Sequence, residues 1–418
     1  MVVLLATERV LPTHVIKETI MTTTPSRKPV DLTTIQSPLH TLHAIETELC
    51  HYLLEREDAI RAGLLALLTR QHLVLIGPPG TAKSLLVTEL AKRICPATGG
   101  GLSSFVWLMT RFTTPEEIFG PISVAGLKVD QYRRLTTGKL PEAELVFLDE
   151  VFKANSAVLN ALLTILNERL FDNGPQRVHV PLISLFGASN EMPQGDDLGA
   201  LWDRFALRLL VEYTSDGAFG RLMRLAPPPA QPTTLSQVDL AQLQQAVAQI
   251  PVPDGIIDAL GNLRKELIGK GITASDRRWR QTLHLLQAHA LLEGRGVVEE
   301  DDLIVLRDAL WTSPEQRQDI ARIAAKLANP LNAKAVELGD QAESVHRAAM
   351  DAQRTTGDNE EAKMQAAVEA NGKLKGIGTQ LKRLKETAES QGRSTTRIEK
   401  VSDQLARYRR TIVDLINE

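Results

Sequence analysis

The spacing of apolar residues predicts a helical start to the chain, followed by strands that alternate with helices. Residues 38–70 carry leucine and isoleucine at roughly helical spacing, and Ala82–Ile94 predicts a further helix. Short apolar runs typical of buried strands occupy His72–Ile76, Phe105–Met109, Leu145–Leu148 and Leu182–Phe186. Strands that alternate with helices favour a mostly parallel sheet covered on both faces. The pattern therefore predicts an α/β domain over residues 38–226.

Glycine and proline mark the breaks in this pattern. Residues 115–141 hold several of both around Lys128–Leu135, which predicts a hairpin inserted in the α/β unit. Prolines 227–229 and Pro232 form a break that no helix crosses. Residues 233–311 then show helical periodicity without strand-like runs, which predicts a small all-helical domain.

The last segment, residues 312–418, is predicted to form a C-terminal bundle of the triple-helical type. Two turn-like interruptions, Thr355–Asn359 and Gln391–Thr395, divide most of it into three helical limbs. Charge is sorted between the limbs, with 4 basic and 8 acidic residues in 331–370 against 11 basic and 4 acidic in 371–412. Exposed pairs between such limbs contribute only about 0.2–1 kcal/mol each. The segment is either a solvated bundle or a docking surface for a partner, and both can hold at once.

Composition narrows the class of protein. The chain has 418 residues, of which 43% are hydrophobic and 24% charged, so it can bury a core, and its length predicts two or three domains. A disordered protein is excluded. The formal net charge of −3 gives no reason to expect nucleic acid as the main partner. The two cysteines, Cys50 and Cys95, can form neither a disulfide framework nor a thiolate zinc site.

Targeting signals are weak. No uninterrupted apolar run approaches the roughly 18–20 residues of a spanning helix, so no transmembrane segment is predicted. Val2–Ala6 is apolar but is soon followed by Glu8, and the order of a signal peptide is lacking. Residues 1–37 are interpreted as a mostly disordered leader, in which Met21 is an alternative start. Together with the cysteine usage, these features favour a cytoplasmic location.

A glycine-rich stretch lies between the first predicted strand and the helix after it, where a phosphate-binding loop must lie. It runs Gly77, Pro78, Pro79, Gly80, Thr81, Ala82, Lys83, Ser84, Leu85. Backbone N–H groups of such a loop point at a phosphate, and the helix N-terminus adds favourable potential. Lys83 supplies a positive charge for the β- and γ-phosphates, and the Ser84 hydroxyl can ligate Mg²⁺. Ala82 stands where glycine is usual, and a helical conformation is expected there to tolerate its Cβ.

The strand Leu145–Leu148 delivers two adjacent carboxylates, Asp149 and Glu150, at its carboxyl end. This is the arrangement that metal-assisted hydrolysis requires, with Asp149 in the Mg²⁺ shell and Glu150 orienting or deprotonating the attacking water. The pattern is weak alone. It becomes specific because Asp149 follows Ser84 by 65 positions. The two motifs together predict a P-loop NTPase that binds ATP and Mg²⁺.

Polar residues farther along the chain complete the predicted site. Asn190 follows the strand Leu182–Phe186 and is placed to reach the attacking water or the γ-phosphate. Arg204, and either Arg277 or Arg278, are suited to the charge that develops on a transferring phosphoryl group. In isolation, each of these residues is more often a turn residue or a surface arginine.

These motifs resemble the AAA+ ATPases, specifically the MoxR family, over about residues 38–311. GPPGTAKS at 77–84 and LVFLDEVFKANSAVLNALLTILNER at 145–169 resemble its Walker A and Walker B segments. ASNEMP at 188–193 resembles sensor 1, WDRF at 202–205 the arginine-finger helix, SDRRW at 275–279 sensor 2, and residues 120–141 the hairpin of this clade. LMTRFTTPEEIFGP at 108–121 and SDRRWRQTLHLLQA at 275–288 look closest to the RavA branch, although we find no strand-rich insertion in the C-terminal bundle.

The resemblance implies a homo-oligomeric ring, usually hexameric, that binds ATP between subunits and couples hydrolysis to remodelling of a protein client. It also implies a partner with a von Willebrand factor A domain. It assigns hydrolysis to Glu150, Asn190, Arg204 and Arg277, and nucleotide contact to the phosphate loop and Arg278. Two alternatives stay open: a chelatase-type motor for metal insertion, and a nucleic-acid motor. A nucleic-acid motor requires a basic insert, and in this insert only two basic residues, Arg133 and Arg134, are adjacent, which disfavours that alternative.

Overall fold

The computed structural model describes residues 29–95, 102–225, 228–328, 330–355, 360–390 and 395–417. In chain order, its strands are β1 His72–Ile76, β2 Ile94–Cys95, β3 Ser104–Leu108, β4 Leu145–Asp149, β5 Leu170–Asn173, β6 Gln176–His179, β7 Ser184–Ser189, β8 Phe205–Leu210 and β9 Leu235–Ser236. Five of them form one parallel sheet in the order β3-β4-β7-β1-β8. Every residue of β1 and β7 is buried, as expected for central strands covered on both faces.

Four of these five strands lie where the apolar runs predict them, which confirms the predicted fold class. The fifth, β8, is not predicted, because its apolar run is interrupted by a charged residue and directly follows the segment assigned to the arginine-finger helix. Its Arg208 is fully buried, and the guanidinium donates to the backbone carbonyls of Trp202 (2.8 Å) and Trp311. An arginine inside a buried strand is tolerated because these carbonyls replace its water.

The helices surround this sheet and continue beyond it. They are α1 Gln36–Tyr52, α2 Glu57–Thr69, α3 Lys83–Arg93, α4 Pro115–Phe119, α5 Val124–Leu127, α6 Ser156–Glu168, α7 Asp196–Trp202, α8 Asp216–Leu222, α9 Gln237–Gln249, α10 Asp254–Gly269, α11 Asp276–Leu292, α12 Gln316–Ala328, α13 Pro330–Thr355, α14 Glu360–Ser390 and α15 Thr396–Asn417. Short 3-10 helices occupy Thr33–Ile35, Leu140–Glu142, Val151–Lys153 and Glu300–Asp308. The first predicted helical region is therefore two helices. The break between them includes Glu55, whose φ of 55° is left-handed.

The insert between β3 and β4 forms the predicted hairpin only in part, through the hydrogen bonds from the Ser123 N–H to the Arg133 carbonyl and from the Leu135 N–H to the Pro121 carbonyl, both 2.8 Å. In residues 115–141 the structure has two short helices, α4 and α5, and one antiparallel bridge, between Ile122 and Arg134. A separate hairpin, β5–β6, follows α6 and is not predicted by the apolar pattern. It is tied to the insert by Asn173, whose side chain accepts from the Arg134 N–H (2.6 Å) and donates to the Arg134 carbonyl (3.2 Å).

The helical lid is larger than predicted. Helices α9 to α11 and the 3-10 helix Glu300–Asp308 pack together, and α12 joins them through Ile320, Ile323 and Ala324, which are buried in the same core as the sheet. The predicted boundary between lid and bundle at residue 312 is therefore too early, because the apolar face of α12 packs against the lid. The bundle begins with α13, and its helices α13 to α15 bury a separate core that includes Leu338, Leu374 and Leu405.

The N-terminal boundary also shifts. Residues 1–28 of the predicted leader lie outside the described residues, whereas the Val30 N–H donates to the Gly296 carbonyl at 2.8 Å and Ile35 is buried in the core. The folded domain therefore begins before residue 38. Among the described residues, no helix combines the length and the apolar character that crossing a bilayer requires.

Candidate nucleotide-binding site

The sheet brings the predicted motifs to one edge. Ile76 at the end of β1 pairs with Ser189 on β7, and Leu148 near the end of β4 pairs with Gly187 on the same strand. The residues that follow these strands are the phosphate loop, Asn190 and the Asp149–Glu150 pair. They are neighbours because the carboxyl ends of parallel strands meet at one edge, where ligands of open α/β sheets bind.

Two glycines of the phosphate loop are required by its backbone. A Cβ on Gly77 would lie 1.9 Å from the Val211 carbonyl oxygen, so the loop and the segment after β8 approach as closely as backbones can. The Gly77 N–H donates to the Ser189 carbonyl at 3.0 Å, which ties the loop to β7. Gly80 has a φ of +78°, a backbone conformation that residues with a Cβ rarely adopt.

Ala82 departs from the expected helical conformation. It precedes the first residue of α3 with φ 65° and ψ 21°, in the left-handed region. For a residue with a Cβ this backbone costs about 1 kcal/mol. The motif usually places glycine here for that reason, and the alanine keeps the turn at the expense of some strain.

Lys83 is buried beneath the loop. Its Nζ donates to the carbonyls of Gly77 (2.7 Å) and Pro78 (2.8 Å), and it lies 3.3 Å from Asn190 Oδ1. Burial lowers the pKa of Lys83, while the negative charges of Asp149 and Glu150 act in the opposite direction. The lysine is therefore a cation held in a confined place between the loop and the two carboxylates.

Glu150 and Asn190 are joined directly. Asn190 Nδ2 donates to Glu150 Oε1 at 2.5 Å, and Lys153 Nζ lies 3.3 Å from Glu150 Oε2. Glu150 is only 8% exposed, and its φ of 52° marks a strained turn directly after β4. Oε2 is buried, and its contact with Lys153 is an ion pair without hydrogen-bond geometry. The amide thus fixes one oxygen and the ammonium holds the other, so the carboxylate is kept in one place directly after β4, as a candidate general base must be.

The predicted Mg²⁺ ligands, Ser84 and Asp149, offer the right donor chemistry. Ser84 is exposed in the first turn of α3, and Asp149 is half-buried, with Oδ1 accepting the Glu150 N–H at 3.0 Å. Mg²⁺ in such sites uses one or two protein oxygens and takes the rest of its shell from water and substrate phosphates. In the described parts of the chain, no group of three or more His, Cys, Asp or Glu side chains is arranged to hold a metal ion.

Arg204 lies in the turn after α7, rather than within a helix. Its Nη1 donates to the Ala200 carbonyl at 2.9 Å, and its Nε is buried without a hydrogen-bond partner among the described residues. Burial lowers the pKa of Arg204, and the charge of Arg277 lowers it further. Asp203, the residue before Arg204, connects this turn to Arg277: its Oδ2 lies 3.6 Å from Arg277 Nη1.

The two sensor 2 candidates have different environments. Arg278 is 2% exposed, and its guanidinium donates to the carbonyls of Ala309 (2.5 Å) and Trp311 (2.9 Å), inside the lid. Burial lowers its pKa to about 10. Arg278 therefore fastens the lid in this structure and has no contact with the phosphate loop. Arg277, with 38% of its side chain exposed, is the one that remains accessible to a ligand.

Arg56 contacts the loop although no sequence motif predicts it. Its Nε donates to the Thr81 carbonyl at 3.0 Å from a buried position. The sequence around it, Glu55-Arg56-Glu57-Asp58, is typical of a solvated helix start. Only the apolar residues on both sides of this charged stretch indicate that a side chain within it, that of Arg56, is buried.

Comparison with known proteins agrees with this geometry. A family model described as the MoxR domain of MoxR–vWA–β-propeller ternary systems matches residues 40–245, and an AAA lid model matches residues 255–324. An uncharacterized protein of Methanocaldococcus jannaschii is 39% identical over 309 residues, which cover 73% of this chain and 79% of the relative. The chaperone MoxR1 of Mycobacterium tuberculosis is 26% identical over 299 residues, covering 66% of this chain and 76% of that protein.

A solved structure is similar in fold alone. A Cytophaga hutchinsonii protein superposes with a TM-score of 0.56 at 18% identity, covering 68% of this chain and 94% of that one. The family and lid models match the two parts of the chain that form the sheet and the lid. The chain therefore belongs to the MoxR family of AAA ATPases.

Proposed function

We propose that this protein is a Mg²⁺-dependent ATPase that couples hydrolysis to the remodelling or maturation of a protein client. The observation that carries the proposal is the linked set Lys83, Asn190 and Glu150 at the carboxyl edge of the sheet. The Asn190 amide contacts the Lys83 ammonium, which would bind the phosphates, and the Glu150 carboxylate, which would bind the attacking water. Phosphoryl transfer to water needs these groups in this proximity.

The active form in this proposal is a homo-oligomeric ring, usually hexameric in the family. Arg277 lies 3.6 Å from the carboxylate of Asp203, the residue before Arg204, so both arginines can serve one nucleotide site. The proposal assigns that site to the neighbouring subunit.

The partner in this proposal is a protein with a von Willebrand factor A domain. The matching family model is named for systems that join MoxR, vWA and β-propeller proteins, which supports such a partner. The relative named as the chaperone MoxR1 supports a remodelling activity. Assignment to the RavA branch rests on the segments 108–121 and 275–288 and stays a prediction.

Hydrolysis is tested with Lys83→Ala. Removing the ammonium takes away the one loop side chain that can neutralise the β- and γ-phosphates, so nucleotide affinity should fall at least tenfold. The measurements are titration with ADP and Mg²⁺, and phosphate release from ATP with and without Mg²⁺. Lys92→Ala, near the other end of the same helix, is the matched control. A wild-type protein that releases no phosphate in the presence of its vWA partner would contradict the proposal.

A further inference from the structure

Arg56 is a buried arginine that holds three backbone carbonyls. Its Nε donates to the Thr81 carbonyl at 3.0 Å, its Nη1 to the Glu55 carbonyl at 2.6 Å, and its Nη2 to the Glu212 carbonyl at 2.6 Å. The residue is only 8% exposed. Its planar guanidinium presents the N–H donors in a rigid fork, so the carbonyls that accept from it keep fixed relative positions.

The carbonyls belong to segments that matter to the nucleotide site. Thr81 is two residues before Lys83, in the part of the loop whose backbone turns into α3. Glu212 directly follows Val211, whose carbonyl approaches Gly77 and whose N–H donates to the Ile76 carbonyl at 2.7 Å. Arg56 and Val211 therefore connect the segment after β8 to both ends of the phosphate loop.

The surrounding charges extend this connection to the lid. Asp58 Oδ2 lies 2.5 Å from Arg307 Nη2 and 3.6 Å from Arg317 Nη2, and both arginines belong to the lid. Glu55 accepts hydrogen bonds from the Ser215 N–H (2.7 Å) and hydroxyl (2.5 Å). The short segment Glu55–Asp58, which ends in the first turn of α2, thus contacts the loop, the chain leading to α8, and the lid.

The charge of Arg56 also reaches the loop. Burial lowers the pKa of Arg56, against the effect of Glu55 and Glu57, and the Arg56 charge lowers the pKa of Lys83. Two cations confined near one loop repel each other. An anion bound by the loop would be attracted by both, so this arrangement favours phosphate over an unliganded loop.

We propose that Arg56 is a positioning residue for nucleotide binding, which holds the Thr81 carbonyl in register with Glu212 and so fixes the row of loop N–H groups that receives the phosphates. This inference rests on the proposed ATPase function. It predicts that nucleotide affinity depends on the arginine fork as well as on its charge, although Arg56 itself need not touch the nucleotide.

The test compares Arg56→Gln and Arg56→Lys with Arg169→Gln in the full-length chain. Arg169 is a matched control because its guanidinium also donates to backbone carbonyls, of Leu166 (2.9 Å) and Arg70 (2.7 Å), beside the amino end of β1. Affinity is measured by titration with ADP and Mg²⁺, turnover by KM and kcat for ATP, and folding by the thermal midpoint.

Both Arg56 variants should raise the Kd for ADP and the KM for ATP at least tenfold, with kcat within about threefold of wild type. Arg169→Gln should lower the thermal midpoint about as much as the Arg56 variants do, but it should keep the Kd for ADP within twofold of wild type. Should Arg56→Gln not fold, Arg56→Lys, which keeps a buried cation, decides the matter. Wild-type affinity in Arg56→Lys would overturn the inference, as would an equal loss of affinity in Arg169→Gln. If the wild-type protein binds no nucleotide, the proposed function itself fails.

Discussion

Asn190 donates a 2.5 Å hydrogen bond from its side-chain amide to Glu150 Oε1, while its carbonyl oxygen lies 3.3 Å from Lys83 Nζ. The ammonium can only donate and the carboxylate can only accept, so one orientation of the amide satisfies both neighbours. Asn190, Glu150 and Lys83 are therefore one connected unit. A change at any of them should alter the others through this amide.

Glu150→Gln should bind nucleotide but lose most turnover. The amide cannot take the proton of the attacking water, and loss of a general base typically lowers rate by about 10²–10⁴-fold. Phosphate release measures turnover, and titration with ADP and Mg²⁺ measures affinity. Glu142→Gln removes the same charge before the amino end of β4 and is the matched control. Parental hydrolysis in Glu150→Gln would show that another group is the base.

Asn190→Ala should lower kcat while leaving the Kd for ADP nearly unchanged. Hydrogen bonds to charged groups contribute about 1.5–3 kcal/mol, which corresponds to about 10–150-fold in rate. Asn190→Asp should lower kcat as well, because it replaces the donor to Glu150 by a second carboxylate, which cannot donate when ionised and repels Glu150. Asn173→Ala, in the β5–β6 hairpin, is the control. Parental kcat in both Asn190 variants would mean that the two side chains do not interact during turnover.

The main motifs of this site are predictable because their signals are local. An apolar strand, a glycine-rich turn and a helix stand in sequence at residues 72–93, and two carboxylates end β4. The arrangement of the strands is also constrained, since parallel strands present their carboxyl ends at one edge. These rules alone are enough to place the loop, Asp149 and Asn190 together.

The features that the sequence does not predict depend on distant partners. Arg208 sits in the buried strand β8 because the carbonyl of Trp311, 103 residues away, accepts from it. Arg56 has its carbonyl partners 25 and 156 residues away. Sequence periodicity treats both as solvated charges, since it carries no information about a carbonyl supplied by another element. The boundary of α12 is misplaced for the same reason: its apolar stripe faces the lid rather than the bundle.

Glu293→Gln should destabilise the lid–bundle junction in a pH-dependent way. Burial alone would raise the pKa of Glu293, but a hydrogen bond from Lys400 and the charges of Arg61 and Lys400 lower it to about 2 from the usual 4.5. Because the folded-state pKa lies below the usual value, ionised Glu293 contributes fully to the free energy of unfolding above about pH 4.5. This contribution is lost as the pH falls through about 2. The variant should lose about 1–3 kcal/mol of unfolding free energy at pH 7.

The measurement is denaturant unfolding of both proteins between pH 7 and pH 2.5. The difference between wild type and Glu293→Gln should narrow below about pH 4.5. Asp319→Asn is the control, because its side chain is also paired, with Lys270 at 2.9 Å, but is more exposed to water than that of Glu293. A difference that stays constant across this range would mean that Glu293 is not ionised against Lys400 and Arg61.

Removal of α13 to α15, residues 330–418, should leave a folded ATPase and abolish capture of the vWA partner. The bundle has its own core, and α12 keeps the lid covered, so truncation after α12 exposes little of the first core. Partner capture is measured by pull-down with the purified vWA protein, and folding by the thermal midpoint and ATP turnover. Unchanged partner affinity in the truncated protein would assign the docking surface to the ATPase core.

Arg204→Ala should bind ATP normally and hydrolyse it poorly, if the arginine serves the neighbouring subunit's nucleotide. Loss of a fully engaged arginine finger lowers rate by about 10³–10⁵-fold, and ring ATPases can lose less. Mixing Arg204→Ala with Glu150→Gln should restore part of the activity, because some interfaces then pair an intact Glu150 with an intact Arg204. The control mixture is Lys83→Ala with Glu150→Gln. Lys83 and Glu150 are linked through Asn190 of the same subunit. Every subunit in this mixture lacks one of the two residues, so no site has both intact and no activity should return. Equal inactivity of the two mixtures, in rings shown to exchange subunits, would place Arg204 in its own subunit's site or outside any site.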